Sequence, residues 1–177
     1  MKKLILVVCK GNIHRSVIAA LCIEKALKDL NLESEYEIVS RGLLGSAGTN
    51  PPRFSNLRFY LTEWSLTSPI LEEIGIEIPS SQVATPVTED IVSNASLILA
   101  MDQNVMYGLI NQFPCFGFKM RLFQELAGNT DDITDCDGKT ETQVYRDVIL
   151  AINSIAQNHN THLLNLVKIF SNYVSNK

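Results

Sequence analysis

Long hydrophobic runs, a surplus of positive charge and abundant cysteine are all missing from this 177-residue chain. No apolar stretch approaches the ~18 residues that a membrane span requires, so no membrane partner is expected. Lysine and arginine number 15 against 19 aspartates and glutamates, a net charge of −4. That balance gives no reason to expect a nucleic-acid partner. The four cysteines, Cys9, Cys22, Cys115 and Cys136, follow neither metal-ligand nor disulfide-scaffold spacing. No metal and no cofactor is expected. Met1-Lys2-Lys3 and the apolar residues after it imitate a signal peptide, but the stretch is short and Lys10 and Arg15 follow it. It serves better as a strand, and the chain reads as cytoplasmic. Nothing here reports the oligomeric state.

What is present concentrates near the N-terminus. The apolar run Leu4-Ile5-Leu6-Val7-Val8 has the length and β-branched content of a buried parallel strand. Cys9-Lys10-Gly11-Asn12-Ile13-His14-Arg15 follows, and then Ser16. Beyond it, Ile18, Leu21, Cys22, Lys25 and Leu27 recur at helical spacing. Strand, tight loop and helix start direct backbone N–H groups and the positive helix end at one point, a site suited to phosphate. Phosphate binding is therefore assigned to Lys10, Gly11, Asn12, Ile13, His14, Arg15 and Ser16. A thiol in such a cradle, beside a guanidinium, is expected as the thiolate, the nucleophilic form. Arg15 can hold two phosphate oxygens in a fork. Gly11 and Asn12 tolerate the left-handed backbone that a concave nest needs. Ser16 is placed to donate a hydrogen bond to the Cys9 sulfur.

Strands of four to six apolar residues alternate with helical patterns along the rest of the chain. The expectation is an α/β fold: a single doubly wound domain over 1–177, with a four-stranded parallel sheet, helices on both faces and the phosphate-binding loop after strand one. Ligands on such sheets bind at the carboxyl ends of the strands, where Cys9 stands. A helix after Asp102 should bury Val105, Met106, Leu109, Ile110 and Phe113, and Pro114 should stop it. The next begins near Thr140-Glu141 and breaks at Gln157-Asn158-His159-Asn160. An extra amphipathic segment at about 159–174 is expected to pack on the domain, with a partner-binding helix as the alternative.

Val8-Cys9-Lys10-Gly11-Asn12-Ile13-His14-Arg15-Ser16 resembles the signature of the low-molecular-weight protein tyrosine phosphatases. Glu37-Ile38-Val39-Ser40 looks like the family's second strand and its following serine. Val87-Thr88-Glu89-Asp90 resembles the third helix start, and Leu97 to Asp102 the third strand. Lys119-Met120-Arg121-Leu122-Phe123 resembles the fourth strand, and Asp132-Ile133-Thr134-Asp135 the acid loop. The resemblance covers roughly 1–42 and 69–157. It implies a cysteine-dependent phosphomonoesterase, hydrolysing protein phosphotyrosine through a cysteinyl-phosphate. Its substrate is then a phosphorylated protein or a small phosphomonoester. Cys9, Arg15 and Asp135 are the implied catalytic residues, with Asn12, Ser16 and Ser40 in support.

Several departures bear on that implication. Cys136 stands where the family has proline after the acid, and Asp137 becomes a rival to Asp135. Asp137 and Gly138 occupy places where the family carries aromatics against the substrate ring. His14 replaces a second loop cysteine and reads as solvent-facing or as an added positive charge. Ile13 is bulky where a small hydroxylated residue accompanies phosphoarginine substrates, which favours phosphotyrosine. The segment at about 43–68 is longer than the family predicts. Its Arg53, Phe54, Arg58, Phe59, Tyr60 and Trp64 suit either a wall around the ligand or a cover for the core. Ser46-Ala47-Gly48-Thr49 imitates the serine turn after strand two, but Ser40 has the strand it should follow. Two other functions stay open. One is a non-catalytic phospho-ligand binding module. The other is an arsenate reductase relaying a disulfide through Cys115 and Cys136.

Overall fold

The computed structural model describes residues 2–45 and 56–175, with side chains through 171. The readings placed on 46–55, including Arg53, Phe54 and the Ser46–Thr49 turn, lie outside the described residues.

The strands are β1 (Lys3–Cys9), β2 (Tyr36–Gly42), β3 (Ala95–Ala100) and β4 (Met120–Leu122). All pair in parallel, in the order β2-β1-β3-β4. The chain winds outward from β1 to β2, then returns to the other side of β1 as β3. The carboxyl end of β1 therefore sits at the switch point where the two windings diverge. The helices are α1 (Arg15–Asp29), α2 (Leu61–Glu73), α3 (Glu89–Asn94), α4 (Gln103–Gln112), α5 (Thr142–Asn158) and α6 (Asn160–Ser175).

Strand periodicity divides the core into two layers. Ile5, Val7 and Cys9 of β1 face one cluster with Val17, Ile18 and Cys22 of α1 and Ile149 and Ile152 of α5. Leu4, Leu6 and Val8 face the other, with Val92 of α3 and Val105 and Leu109 of α4. A strand covered on both faces needs no polar alternation, which explains its unbroken apolar run.

Most element boundaries follow the sequence pattern, and the differences have local causes. β3 ends at Ala100, before Met101 and Asp102, because the Asp102 carboxylate turns to cap α4, accepting from Val105 N at 2.8 Å. β4 ends at Leu122 because Phe123 opens a short 3₁₀ turn. Along α4, Val105 and Leu109 are fully buried while Ile110 is exposed, so the apolar face is narrower than its sequence suggests. α6 is not a free helix: Leu163, Val167 and Phe170 are buried in the first core cluster.

Residues 56–68 have firm local structure. The buried Asn56 side chain donates to Pro79 O at 3.0 Å and Gln82 O at 2.9 Å. Its oxygen accepts from Arg58 N. Arg58 donates to Ile78 O and lies over the Trp64 ring at 4.6 Å. These links tie the segment ahead of α2 to residues 78–82.

Candidate active site

The loop after β1 curls back on its first residue. Asn12 takes the left-handed conformation, φ 55°, so of the two residues expected to supply that turn, Asn12 does so and Gly11 does not. This brings Asn12 N to 3.2 Å from Cys9 Sγ. Ser16 Oγ lies 3.0 Å from the same sulfur, as expected of its position. The strained residue is held by its own side chain. Asn12 Nδ2 donates to Ser16 Oγ at 3.3 Å and to Ser40 Oγ at 3.0 Å, and Oδ1 accepts from Thr85 N at 2.9 Å. Asn12 and Ser16 are fully buried and lie beneath the loop.

Arg15 is 3% exposed. Its Nη1 donates to Asp102 Oδ2 at 2.6 Å and to Ile133 O at 2.8 Å, and its Nη2 to Asp135 Oδ2 at 2.6 Å. Burial works against its charge, but Asp135, Cys9 and Asp102 outweigh burial and raise its pKa above the ordinary arginine value. Ile133 N in turn donates to Met101 O, tying the loop of Asp135 to the end of β3. The guanidinium thus joins the first helix, the end of β3 and the acidic loop.

A cavity of about 210 Å³ opens above these groups. Cys9, Lys10, Gly11, Ile13, His14 and Arg15 line it, with Asp135, Cys136 and Asp137 from the acidic loop. Leu57, Tyr60, Glu63 and Tyr145 complete the lining. Of the two candidate acids, Asp135 alone reaches Arg15. Its other oxygen accepts from Asp137 N at 3.3 Å. Tyr145 OH lies 3.1 Å from both Cys136 O and Lys139 O, so it can donate to either and anchors the loop where proline was expected.

The sequence profile of the low molecular weight phosphotyrosine protein phosphatases matches residues 4–168. The chain belongs to this family. Low molecular weight phosphatases are cysteine-based enzymes, and the four-stranded parallel sheet with its loop after β1 is their fold. No curated protein sequence matches the chain. Among solved structures, a YwlE mutant from Bacillus subtilis superposes with a TM-score of 0.73 at 21% identity, covering 92% of this chain and 99% of that one. The protein tyrosine phosphatase of Entamoeba histolytica gives 0.74 at 20% identity, covering 93% and 98%. The tyrosine phosphatase AmsI of Erwinia amylovora gives 0.69 at 26% identity, covering 92% and 93%.

Set in this phosphatase, several residues behave differently from their sequence reading. His14 is half-buried rather than fully solvent-facing. Nε2 lies 3.0 Å from Thr67 Oγ1 of α2, and the ring meets Tyr145 edge-on at 5.7 Å. Burial pushes its pKa down to about 4; Asp135 opposes that shift and Arg15 adds to it. Of the aromatic residues offered as a substrate wall, Tyr60 lines the cavity. Trp64 packs against the core under Arg58, and Phe59 points to solvent. Cys136 is buried in the lining, and burial, reinforced by Asp135, pushes its thiol up to about 11 against the pull of Arg15. Cys115 is exposed and outside the lining.

Asp102, Glu63 and Tyr145 were not singled out by sequence. Asp102 had a signal: it follows the apolar run of β3 at the sheet edge where α/β sites form. Tyr145 had none, being one more large residue at helical spacing.

Proposed function

We propose that this phosphatase hydrolyses phosphotyrosine in proteins, with Cys9 as nucleophile, Arg15 as phosphate clamp and Asp135 as general acid. The ester's phosphoryl group sits in the loop of residues 10–16, where Arg15 and backbone N–H groups stabilise charge on the equatorial oxygens. The Cys9 thiolate attacks phosphorus in line while the bond to the leaving oxygen breaks. Asp135 delivers its proton to that oxygen. The resulting carboxylate then takes a proton from water, whose oxygen displaces the sulfur from phosphorus. Phosphate leaves and the thiolate returns. Asn12 and Ser40 brace the loop, and Ser16 steadies the sulfur.

The observation that carries this reading is the convergence of Cys9 and Arg15, from one loop, and Asp135, from a distant part of the chain, on one cavity. Ile13, Leu57 and Tyr60 offer an apolar flank for an aryl ring, which favours phosphotyrosine over smaller esters. We read residues 1–177 as one domain of this family, with an insert at about 43–68 and an appended C-terminal helix. Among the described residues no helix is long and apolar enough to cross a membrane. We place the protein in the cytoplasm, acting on phosphorylated proteins and independently of nucleic acid. Release of phosphate from para-nitrophenyl phosphate, with chelator present and vanadate as inhibitor, tests the reading. Activity must vanish in Cys9→Ser; turnover near wild type in that variant rejects it.

A further inference from the structure

The cavity that holds the reacting groups has one buried cation, Arg15, at its floor, and at its exposed edge Lys10 is outnumbered by carboxylates. Two cations, Lys10 and Arg15, line it against three carboxylates, Glu63, Asp135 and Asp137. His14 adds no charge at neutral pH, since burial holds its pKa near 4. Asp135 has a partner in Arg15. Among the described residues no ion pair engages Glu63 or Asp137.

These two carboxylates come from different elements and border the same opening. Glu63 lies in the first turn of α2, and Asp137 lies two residues beyond Asp135 in the acidic loop. Tyr60 and Tyr145 both feel them. Burial raises the pKa of each phenol, and Glu63 and Asp137 raise it further. Both phenols line the cavity, so Glu63 and Asp137 stand around the path that a leaving group takes out of it.

An acidic rim repels a phosphate dianion carried on a neutral or acidic partner. That cost becomes selectivity if the substrate brings its own cation to the rim. The carboxylates do not create the site, which the loop and Cys9 define. They decide which neighbours of the phosphorylated residue are welcome. We propose that Glu63 and Asp137 are specificity-determining residues that select phosphotyrosine flanked by lysine or arginine and reject it beside glutamate or aspartate. The proposal rests on the phosphotyrosine phosphatase reading above and narrows its substrate class.

The test compares two phosphotyrosyl peptides of equal length, with lysine or glutamate on each side of the phosphotyrosine. kcat/KM is measured for wild type, Glu63→Gln, Asp137→Asn and the double variant, with para-nitrophenyl phosphate as the reference substrate. Wild type should favour the lysine peptide by about 10-fold at low salt, carried mainly by KM. Each single variant should cut the ratio about threefold and the double variant should bring it near one. Glu63→Lys should invert it. Raising ionic strength from about 0.05 to 0.5 M should shrink the wild-type ratio, because rim charges are screened. The ratio is internal to each variant, so partial loss of folded protein does not alter it. Equal kcat/KM on both peptides in wild type, with para-nitrophenyl phosphate hydrolysed, overturns this proposal alone. An unchanged ratio in the double variant does the same. Absence of any phosphate release by wild type overturns the phosphatase reading and this proposal with it.

Discussion

Asp135 Oδ2 and Arg15 Nη2 stand 2.6 Å apart, so the proposed proton donor and the proposed phosphate clamp are directly bonded. A phosphoryl group seated on Arg15 must take over that nitrogen from the carboxylate. Asp135 is about half exposed while Arg15 is buried, so the carboxylate is the partner free to swing.

This geometry separates two effects of Asp135→Asn. On an alkyl or simple phenyl phosphate, kcat should fall by about 10²–10³, the range expected when a general acid is lost. On para-nitrophenyl phosphate, whose leaving group needs little protonation, the fall should be much smaller. Inhibition by inorganic phosphate should tighten severalfold, since a competing anion has left Arg15. An equal loss on every leaving group would refute the acid assignment.

Cys9→Ser should retain the cradle while removing the nucleophile. Calorimetric titration should still detect phosphate binding, because the loop's donors and Arg15 are untouched. Turnover should drop by more than about 10³, a hydroxyl being far harder to ionise than a thiol in this setting. Loss of phosphate binding in a folded variant would show that the sulfur itself shapes the site.

Asp102 caps α4 through one oxygen and holds Arg15 through the other. Asn serves as a helix cap nearly as well as Asp, so Asp102→Asn isolates the second role. Helix stability should change little, while Arg15 loses a charged anchor and kcat/KM should fall about 10- to 100-fold. Unaltered kcat/KM would mean that Ile133 O and Asp135 suffice to orient the guanidinium.

His14 should impose an acid limb on stability. Its pKa is pushed down to about 4 in the folded protein, against the ordinary value of 6.5. The unfolded chain therefore binds more protons between those values. Stability is fully present above about pH 6.5 and is lost as pH falls toward 4, by roughly 3 kcal/mol for this ring. Urea midpoints at pH 7.0, 5.5 and 4.5 should fall more steeply for wild type than for His14→Gln. Parallel curves would show that the ring does not titrate in this window.

Much of the fold was legible because its signals are contiguous. The β1 run, the loop and the α1 pattern are adjacent in sequence, so one short stretch specifies strand, cradle and helix together. Asn12 and Ser16 were legible from the loop itself, whereas Ser40 came only from the family resemblance and lies inside β2, not after it. What escaped depends on distant elements meeting. His14 is exposed in any local reading of the loop; Thr67 of α2 and Tyr145 of α5 are what enclose it. The aromatic content of 56–68 signalled contact with something apolar but not which ring faces which way. Arg58 draws Trp64 inward, leaving Tyr60 at the cavity. Asp102, Glu63 and Asp137 acquire their places only when β3, α2 and the acidic loop converge.

Asn12 is tied by its side chain to Ser16, Ser40 and Thr85, and by its backbone to Cys9. The side-chain partners belong to α1, to β2 and to the chain ahead of α3, and Cys9 ends β1. Opening the cradle would break contacts with three separate segments at once, leaving no cheap local route. Heat inactivation should accordingly coincide with melting of the whole protein.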